Sequence, residues 1–461
     1  MIRTIHLFIL DSNMAKKFGL FVLFFWLISV SGLFLFSEKI KVSESEKREL
    51  AVLPEFSWEN YISGNLSKGL NQYVNDHFPF RTYAVRFTEA FRYNLGFRLK
   101  DQEKIVVVSK PKKEITADPK SDADSASSKA YLDDLEASYS GSMLILDGKV
   151  YTQNAGNPAV SPYFSKMLNV YADSLKGKAR VFSCVAPLSS AYIPLPNYEH
   201  LAKRNEETLQ AIKNNLNPGV YFADVMGEMN QHFNEYLWYG SDHHWTGLGA
   251  YYGYVAFCKA AGITPVPLSA MEKREKSPFL GSLYELTRDQ SVRDNPDRVE
   301  TYIPPGIETQ AVRYNPYDFK YPQKTKVFCN SANYLTFICG DAPLIKITTN
   351  VKNGKKAAVV KNSMGNAFVV YLISHYEEIY VVDFRYSKHN LLKIMKDAQV
   401  NDLVFAMGMY GAMSRGTIGM MRNLAYNKSQ DYDEVLKRER EQKILDSINS
   451  IQNTDTVIVE N

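Results

Sequence analysis

The sequence predicts an α/β fold in which a parallel sheet is flanked by helices. Two observations lead to this prediction. Short apolar segments alternate with helical segments, and the apolar segments are typical of strands that are buried on both faces. Composition agrees, because 45% hydrophobic and 23% charged residues over 461 positions are usual for a large globular chain.

The alternation begins in the first half of the chain and breaks off after a helix that Thr246 is expected to cap. The predicted strands are Met143–Leu146, Arg180–Ala186 and Val220–Asp224, and the predicted helices are Tyr163–Leu175, Leu201–Asn214 and the one after Thr246, which runs to about Ala261. Residues from about 262 to 330 are rich in Pro, Tyr and Asp and have no clear period. We interpret them as an insertion or a long surface excursion.

The alternation then resumes in the second half of the chain. Its predicted strands are Ala357–Val360, Ile379–Asp383 and Leu403–Met407, and its predicted helices are Asn366–Tyr376 and Asn390–Ala398. We therefore predict one α/β domain over residues 130–427. A charged helix and tail, 428–461, are expected to follow it on the surface.

The N-terminal residues predict a membrane anchor. Residues 18–36 carry no charge and are long enough to cross a bilayer as a helix, and the lysine pair at 16–17 favours an inside N-terminus. A cleavable signal peptide is the alternative. We expect residues 1–17 in the cytoplasm and the remainder outside it, periplasmic or extracellular. That remainder would start with a helical segment at 37–109 and a polar linker at 110–129.

Charge and cysteine content narrow the possible functions. A net charge of +4 is too balanced to suggest nucleic-acid binding. The four cysteines include no CxxC pair and no metal-finger spacing. Cys184 and Cys258 lie in apolar runs and are predicted to be buried, whereas Cys329 and Cys339 could pair outside the cytoplasm. We expect no cofactor and no resident metal ion.

The segment "SDHHW", residues 241–245, places an acid beside two imidazoles. The spacing of Asp242 and His244 lets both side chains point the same way on an extended segment. Ser363 follows a predicted strand and precedes a predicted helix, whose free N–H groups could hold a developing negative charge. His244 could then act as a base for Ser363, with Asp242 orienting the imidazole.

Other interpretations of the same residues stay open at this point. Ser363 could simply cap a helix, and Asp242 could cap the helix near Thr246. His243 could be a second base or could pack against its own loop. The residues at 242–244 could also bind a metal ion.

A family resemblance bears on this choice. "SDHHWTGLGAYYGY" resembles the signature of the DHHW proteins, a bacterial family, and is similar to the D-x-H-W-T segment of the alginate O-acetylation proteins, whose domain is a permuted form of the SGNH-hydrolase fold. Further segments fit the same resemblance, which covers roughly residues 40–415: "SEKRELAVLPEFS", "NDHFPFR", "FLGSLY", "CGDAPL" and "VVKNSMGNAFVVYLISHYEEIYVVDFRY".

The resemblance implies an SGNH-like triad in reversed chain order, with Asp242 and His244 before the nucleophile Ser363. It also implies that a backbone N–H of Ser363 or Met364 stabilises the oxyanion. One residue departs from the family pattern, because DHHW relatives commonly have Asp where this chain has Asn362, whose amide could donate a hydrogen bond instead. The residues that we consider for substrate binding are Trp245, Asp341, Arg385 and Tyr386, although Trp245 could instead pack the loop and Asp341 could simply end a strand.

The function that follows from the resemblance is an envelope-anchored O-acyltransferase or esterase that acts on an exported polysaccharide. In the similar alginate systems a multi-pass membrane acyltransferase supplies the acyl group, so such a partner is implied here. Two alternatives remain: a carbohydrate-binding or assembly protein without catalysis, and a metal-dependent hydrolase that uses residues 242–244.

Overall fold

A computed structural model describes residues 51–62, 64–78, 104–108 and 141–428, together with scattered positions within 17–34, 42–49 and 434–442. The chain forms two compact units, Met1–Arg98 and Leu99–Asn461. Among the residues described, no helix is both long enough and apolar enough to cross a membrane. The predicted anchor at 18–36 is described only at residues 20–25, 28, 29, 32 and 34, and the predicted linker at 110–129 lies outside the described residues.

The N-terminal unit contains a short hairpin and two helices: β1 (Val42–Ser43), β2 (Arg48–Glu49), α1 (Trp58–Ile62) and α2 (Asn65–His77). The end of α2 holds the segment that precedes α1. Asp76 accepts a hydrogen bond from the Ala51 N–H at 2.9 Å, and the His77 ring lies 2.8 Å from the Ala51 carbonyl oxygen. The "NDHFPFR" segment therefore has a structural role at its first residues.

The C-terminal unit starts with a small antiparallel sheet of β3 (Lys104–Val108), β4 (Gly141–Leu146) and β5 (Lys149–Thr152). The strand predicted at Met143–Leu146 belongs to this sheet, so its placement in the main sheet was wrong. Asp147 and Gly148 explain the difference. Both have positive φ, at 49° and 73°, and they turn β4 straight back along β5.

An eight-stranded sheet forms the centre of the unit. The remaining strands are β6 (Arg180–Ala186), β7 (Val220–Phe222), β8 (Glu272–Phe279), β9 (Asp297–Ile303), β10 (Thr309–Tyr314), β11 (Gln323–Thr325), β12 (Leu344–Thr349), β13 (Lys356–Lys361), β14 (Glu378–Asp383) and β15 (Asp402–Gly408). The order across the sheet is β11-β10-β12-β14-β13-β15-β6-β7, and β8 and β9 form a separate hairpin.

The sheet is mixed, which corrects the prediction of a purely parallel one. Neighbours from β14 to β7 run parallel, whereas β12, β10 and β11 are antiparallel and extend the β14 edge. Two of these strands, β10 and β11, come from the region that we interpreted as an insertion at about 262–330. That region is therefore partly built into the main sheet.

Helices cover both faces of the sheet, as predicted. They are α3 (Ser161–Ser174), α4 (Glu199–Asn214), α5 (Val225–Asn230), α6 (Gly247–Ala261), α7 (Ser282–Thr287), α8 (Gln290–Arg293), α9 (Gly365–Leu372), α10 (Leu391–Asp397), α11 (Met409–Met413) and α12 (Arg415–Asn423). Side chains along β13 alternate between two apolar cores. Ala357 and Val359 pack with Phe257 of α6, whereas Ala358 and Val360 pack in the core that contains Phe164 of α3.

Candidate active site

Ser363 lies at the carboxyl end of β13, in the turn that leads into α9. This is the edge at which ligands bind in open α/β sheets. The turn is tight, because the Gly365 N–H donates to the Asn362 carbonyl at 2.9 Å and the Asn366 N–H to the Ser363 carbonyl at 3.1 Å. A Cβ atom on Gly365 would come within 2.5 Å of Lys361 Cβ, so only glycine fits there.

The SDHHW segment is fastened just before α6. Thr246 caps that helix, as predicted, since its Oγ1 accepts the Gly249 N–H at 3.1 Å. Asp297 of β9 anchors the other end of the segment. Its carboxylate accepts the Gly240 N–H at 2.9 Å and the Ser241 N–H at 2.7 Å. The sequence analysis missed Asp297, because no local pattern links it to Gly240 and Ser241, which lie 57 and 56 positions earlier in the chain.

The structure brings Asp242, His244 and Ser363 together. The Ser363 Oγ lies 2.9 Å from His244 Nε2, and His244 Nδ1 lies 2.5 Å from Asp242 Oδ1. Asp242 also accepts the His244 N–H at 3.0 Å and the Ser282 N–H at 2.9 Å. The helix-capping alternative is wrong, because Thr246 caps α6 and no side chain caps α9.

The ionisation of Asp242 determines which nitrogen of His244 carries a proton. Burial alone would raise the pKa of Asp242. The charges of His244 and His243 and the hydrogen bonds from His244 and the Ser282 N–H outweigh burial and hold that pKa well below its usual range. A carboxylate only accepts hydrogen bonds, so His244 Nδ1 must donate to it. His244 Nε2 is then free to accept the Ser363 hydroxyl proton.

His243 lies beside His244, with ring centroids 3.8 Å apart, and its Nδ1 is 2.7 Å from the Ser282 Oγ. Burial, followed by the charge of His244, lowers the pKa of His243 to about 3, so the ring is neutral near pH 7. Asp242, His243 and His244 each offer a ligand atom within 4.8 Å of the others. Hydrogen bonds already engage Asp242 Oδ1 and both ring nitrogens of His244.

Tyr334 is a site residue that the sequence analysis missed. Its ring stacks on His244, with centroids 3.8 Å apart and planes at 10°, and its hydroxyl donates to the Met364 carbonyl at 3.1 Å. Trp245 Nε1 donates to the same carbonyl at 2.9 Å. Trp245 is only 2% exposed and fills the core, so our assignment of it to substrate binding was wrong.

The loop that carries Tyr334 is closed by a disulfide. Cys329 pairs with Cys339, and Tyr334–Thr336 forms a 3₁₀ turn between them. The backbone pairs across this loop as well, because the Cys329 N–H donates to the Thr336 carbonyl at 2.9 Å. Cys184 and Cys258 are buried, as predicted, and neither forms a disulfide.

Asp341 and Arg385 belong to a buried ion cluster behind the serine. Lys361 Nζ is 2.6 Å from Asp341 Oδ1 and 2.7 Å from Asp383 Oδ2. Arg385 donates to Asp341 at 2.7 Å and to Asp383 at 2.8 Å. The Lys361 side chain is fully buried and that of Arg385 is 9% exposed.

This cluster corrects our assignment of Asp341 and Arg385 to substrate binding, because their charged groups bind one another. Burial alone would raise the pKa of Asp341, but Lys361 and Arg385 hold it well below its usual range. Tyr386, the last candidate of that set, packs under Arg385, with the guanidinium carbon 5.1 Å from its ring centre.

A cleft opens beside Ser363. Of the residues named in the sequence analysis it contains Ser363 itself, Asn362, Met364 and His243, and none of the four predicted substrate-binding residues lines it. Asn362 Oδ1 accepts the Gly408 N–H at 3.4 Å. Within the described part of the chain, the backbone N–H groups of Ser363 and Met364 make no hydrogen bond, so both are available to an oxyanion.

Comparisons with known proteins agree with this architecture. The sequence profile of the DHHW proteins matches residues 101–382. A DHHW family protein from Eubacterium siraeum is 29% identical, with a TM-score of 0.56 over 61% of this chain and 95% of its own. PatB1 of Bacillus cereus, whose structure is known with a sulfonyl adduct, is 16% identical, with a TM-score of 0.50 over 60% of this chain and 97% of its own.

A more distant similarity is to the O-acetyltransferase domain of Pseudomonas putida AlgJ. It is 15% identical, with a TM-score of 0.33 over 60% of this chain and 96% of its own. No curated protein sequence matches the chain.

Proposed function

The chain belongs to the DHHW family, and on this premise we propose that it is an acyl-transfer enzyme, an O-acyltransferase or esterase, that works through Ser363, His244 and Asp242. One observation carries the proposal. His244 lies between the other two side chains, 2.9 Å from the Ser363 Oγ and 2.5 Å from Asp242 Oδ1. A hydroxyl, an imidazole and a carboxylate in this order are the parts that nucleophilic acyl transfer requires.

The first half of the reaction acylates the serine. His244 Nε2 takes the proton of Ser363 as its Oγ attacks the acyl carbon, and Asp242 stabilises the imidazolium that forms. The backbone N–H groups of Ser363 and Met364 donate to the oxyanion. When the tetrahedral intermediate collapses, His244 returns the proton to the leaving oxygen of the donor.

The second half of the reaction frees the enzyme. A hydroxyl group of the acceptor, or water, gives its proton to His244 and attacks the acyl group on Ser363. The second tetrahedral intermediate then expels the Ser363 Oγ, which takes the proton back from His244. Transfer to a hydroxyl is O-acyl transfer, and transfer to water is ester hydrolysis. Asn362 adds an uncharged amide beside the oxyanion, and an amide can donate a hydrogen bond there without repelling the negative charge.

The wider setting extends the proposal. The similarity of the SDHHWT segment to alginate O-acetylation proteins supports an exported polysaccharide as acceptor and a multi-pass membrane acyltransferase as partner. Residues 18–36 would anchor the chain, with the α/β unit outside the cytoplasm. PatB1 of Bacillus cereus, a protein of similar fold, forms a sulfonyl adduct, so a sulfonyl reagent is a suitable probe of the serine here.

A labelling experiment tests the proposal. The full chain is incubated with p-nitrophenyl acetate and, separately, with phenylmethylsulfonyl fluoride, and the modified residue is found by mass spectrometry. We expect turnover of the ester and a sulfonyl adduct on Ser363. Both are lost in Ser363→Ala and kept in the control Ser174→Ala, which replaces an exposed helical serine.

The alternatives predict other results. A carbohydrate-binding or assembly protein would bind glycan but show neither turnover nor an adduct on Ser363. A metal-dependent hydrolase at residues 242–244 would lose its turnover in EDTA and keep it in Ser363→Ala.

A further inference from the structure

The cleft at Ser363 is lined by apolar and by uncharged polar side chains. One part is apolar and includes Pro187, Leu188 and Trp238, and the other is polar and includes Thr152, Ser189 and Asn362. No Asp, Glu, Lys or Arg lines the cleft among the described residues. Polar contacts are therefore available to a ligand, but an opposite charge is not.

The two titratable side chains of the lining, His243 and Tyr410, are both uncharged near pH 7. Burial lowers the pKa of His243 to about 3, and burial raises the pKa of Tyr410 above its usual value. The Tyr410 hydroxyl accepts a hydrogen bond from Asn154 Nδ2 at 3.1 Å. These residues offer hydrogen bonds in their neutral forms only.

The two cations of the buried ion cluster do not compensate for this. Lys361 and Arg385 each bind both Asp341 and Asp383, so two positive and two negative charges balance within the cluster. Because the Lys361 side chain is fully buried, it cannot turn towards the cleft without unfolding its surroundings. A ligand anion at Ser363 would lose water without gaining a partner charge.

We infer that the part of the substrate that enters the cleft is uncharged: a neutral acyl ester as donor and a neutral hydroxyl compound, such as a hexose or an N-acetylated amino sugar, as acceptor. Uronates and phosphorylated sugars are excluded from the reacting position. The inference rests on the proposed function, since it concerns the substrate of the same serine.

Two esters that differ in one charge test the inference on the full chain. Mono-p-nitrophenyl succinate presents an anionic acyl group, and its methyl ester presents a neutral group of almost the same shape. We expect kcat/KM to be about 30-fold or more higher for the methyl ester, because the carboxylate must enter the cleft without a counter-charge. Added salt should change kcat/KM of the methyl ester by less than about twofold.

A charge introduced into the cleft gives a second measurement. Ser189→Lys places a cation in the lining, and Ser189→Gln is the matched variant of similar reach without charge. We expect Ser189→Lys to raise the ratio of kcat/KM for the anionic ester to that for the neutral ester by about tenfold, and Ser189→Gln to leave the ratio where it is.

The outcomes separate the two proposals. Equal or faster turnover of the anionic ester by the unmodified chain overturns this inference and leaves the proposed function standing. Turnover of neither ester, with no adduct on Ser363, overturns both. Faster turnover of the neutral ester supports both proposals. This comparison uses the unmodified chain, so it does not depend on whether a variant folds.

Discussion

Tyr334 lies face to face with His244, with ring centroids 3.8 Å apart and planes at 10°. Asp242 holds the same imidazole at its edge, through a contact of 2.5 Å to Nδ1. The two contacts together fix both the tilt and the rotation of the ring. His244 Nε2 therefore stays directed at Ser363 before any substrate binds, and this preorganisation is what proton transfer requires.

Variants at Tyr334 separate the role of the ring from that of the hydroxyl. Tyr334→Phe keeps the stacking on His244 and loses the hydroxyl with its hydrogen bond to Met364, so we expect esterase kcat to fall less than about threefold and stability by about 1 kcal/mol. Tyr334→Leu removes the stacked ring, and we expect kcat to fall about 10- to 100-fold. Initial rates with p-nitrophenyl acetate and thermal unfolding are the measurements. Equal losses in both variants would show that the stacking has no role.

The disulfide is expected to act on the site through the same residue. Reduction, or the double change Cys329→Ser and Cys339→Ser, frees the loop that presents Tyr334. We expect a loss of about 2–3 kcal/mol in the free energy of unfolding, because the disulfide that closes this short loop no longer restricts the unfolded chain. Ester turnover should also fall, because the loop no longer holds Tyr334 against His244. Activity of the double variant should not respond to dithiothreitol, and a response there would trace the effect to Cys184 or Cys258 instead.

Asp242→Asn tests the tautomer of His244. An amide that takes the place of the carboxylate can donate to Nδ1, and the proton of the imidazole then moves to Nε2, where it blocks the Ser363 hydroxyl. We expect kcat to fall by about four orders of magnitude with little change in KM. Steady-state kinetics measure this, and circular dichroism checks the fold. A loss below tenfold would contradict the assigned role of Asp242.

The ion cluster predicts how stability depends on pH. The pKa of Asp341 is lower in the folded chain than in the unfolded chain, so the unfolded state binds more protons in acid. This stabilisation is complete above the unfolded pKa, about 3.9, and is lost as the pH falls towards the folded pKa. Asp341→Asn should therefore flatten the dependence of the unfolding free energy on pH between about 2 and 5.

The same variant should lose about 3–5 kcal/mol at pH 7, because it leaves two buried cations with one carboxylate. Asp173→Asn, at an exposed carboxyl group, is the control and should reproduce the unmodified curve. Urea unfolding at a series of pH values measures both effects. A curve for Asp341→Asn parallel to that of the unmodified chain would rule out the linkage.

The parallel centre of the fold could be predicted because its strands are apolar on both sides. Along β13 the side chains Ala358, Val359 and Val360 are all completely buried, and such runs stand out in a sequence. The antiparallel edge could not be predicted in the same way. Residues of β12 alternate between buried positions and half-buried ones such as Lys346 and Thr348, so the apolar signal is halved.

The proposed catalytic residues could be chosen from the sequence because each sits in a short local pattern that has a chemical meaning. Their partners could not. Ser282, Asp297 and Tyr334 are distant from the SDHHW segment in the sequence and contact it only once the chain has folded. Trp245 and Arg385 were misassigned for a related reason. An indole or a guanidinium group can either pack inside the protein or bind a ligand, and the sequence does not show which of these residues are buried.

The separation of the site residues along the chain has a kinetic consequence. His244 and Ser363 are 119 positions apart, and β15 lies between β13 and β6, the latter from far earlier in the chain. Contacts of such long range form late, because closing large loops costs entropy before any contact is gained. During refolding, ester hydrolysis should therefore return after the helical signal does. Recovery of activity would then report the final closure of the sheet.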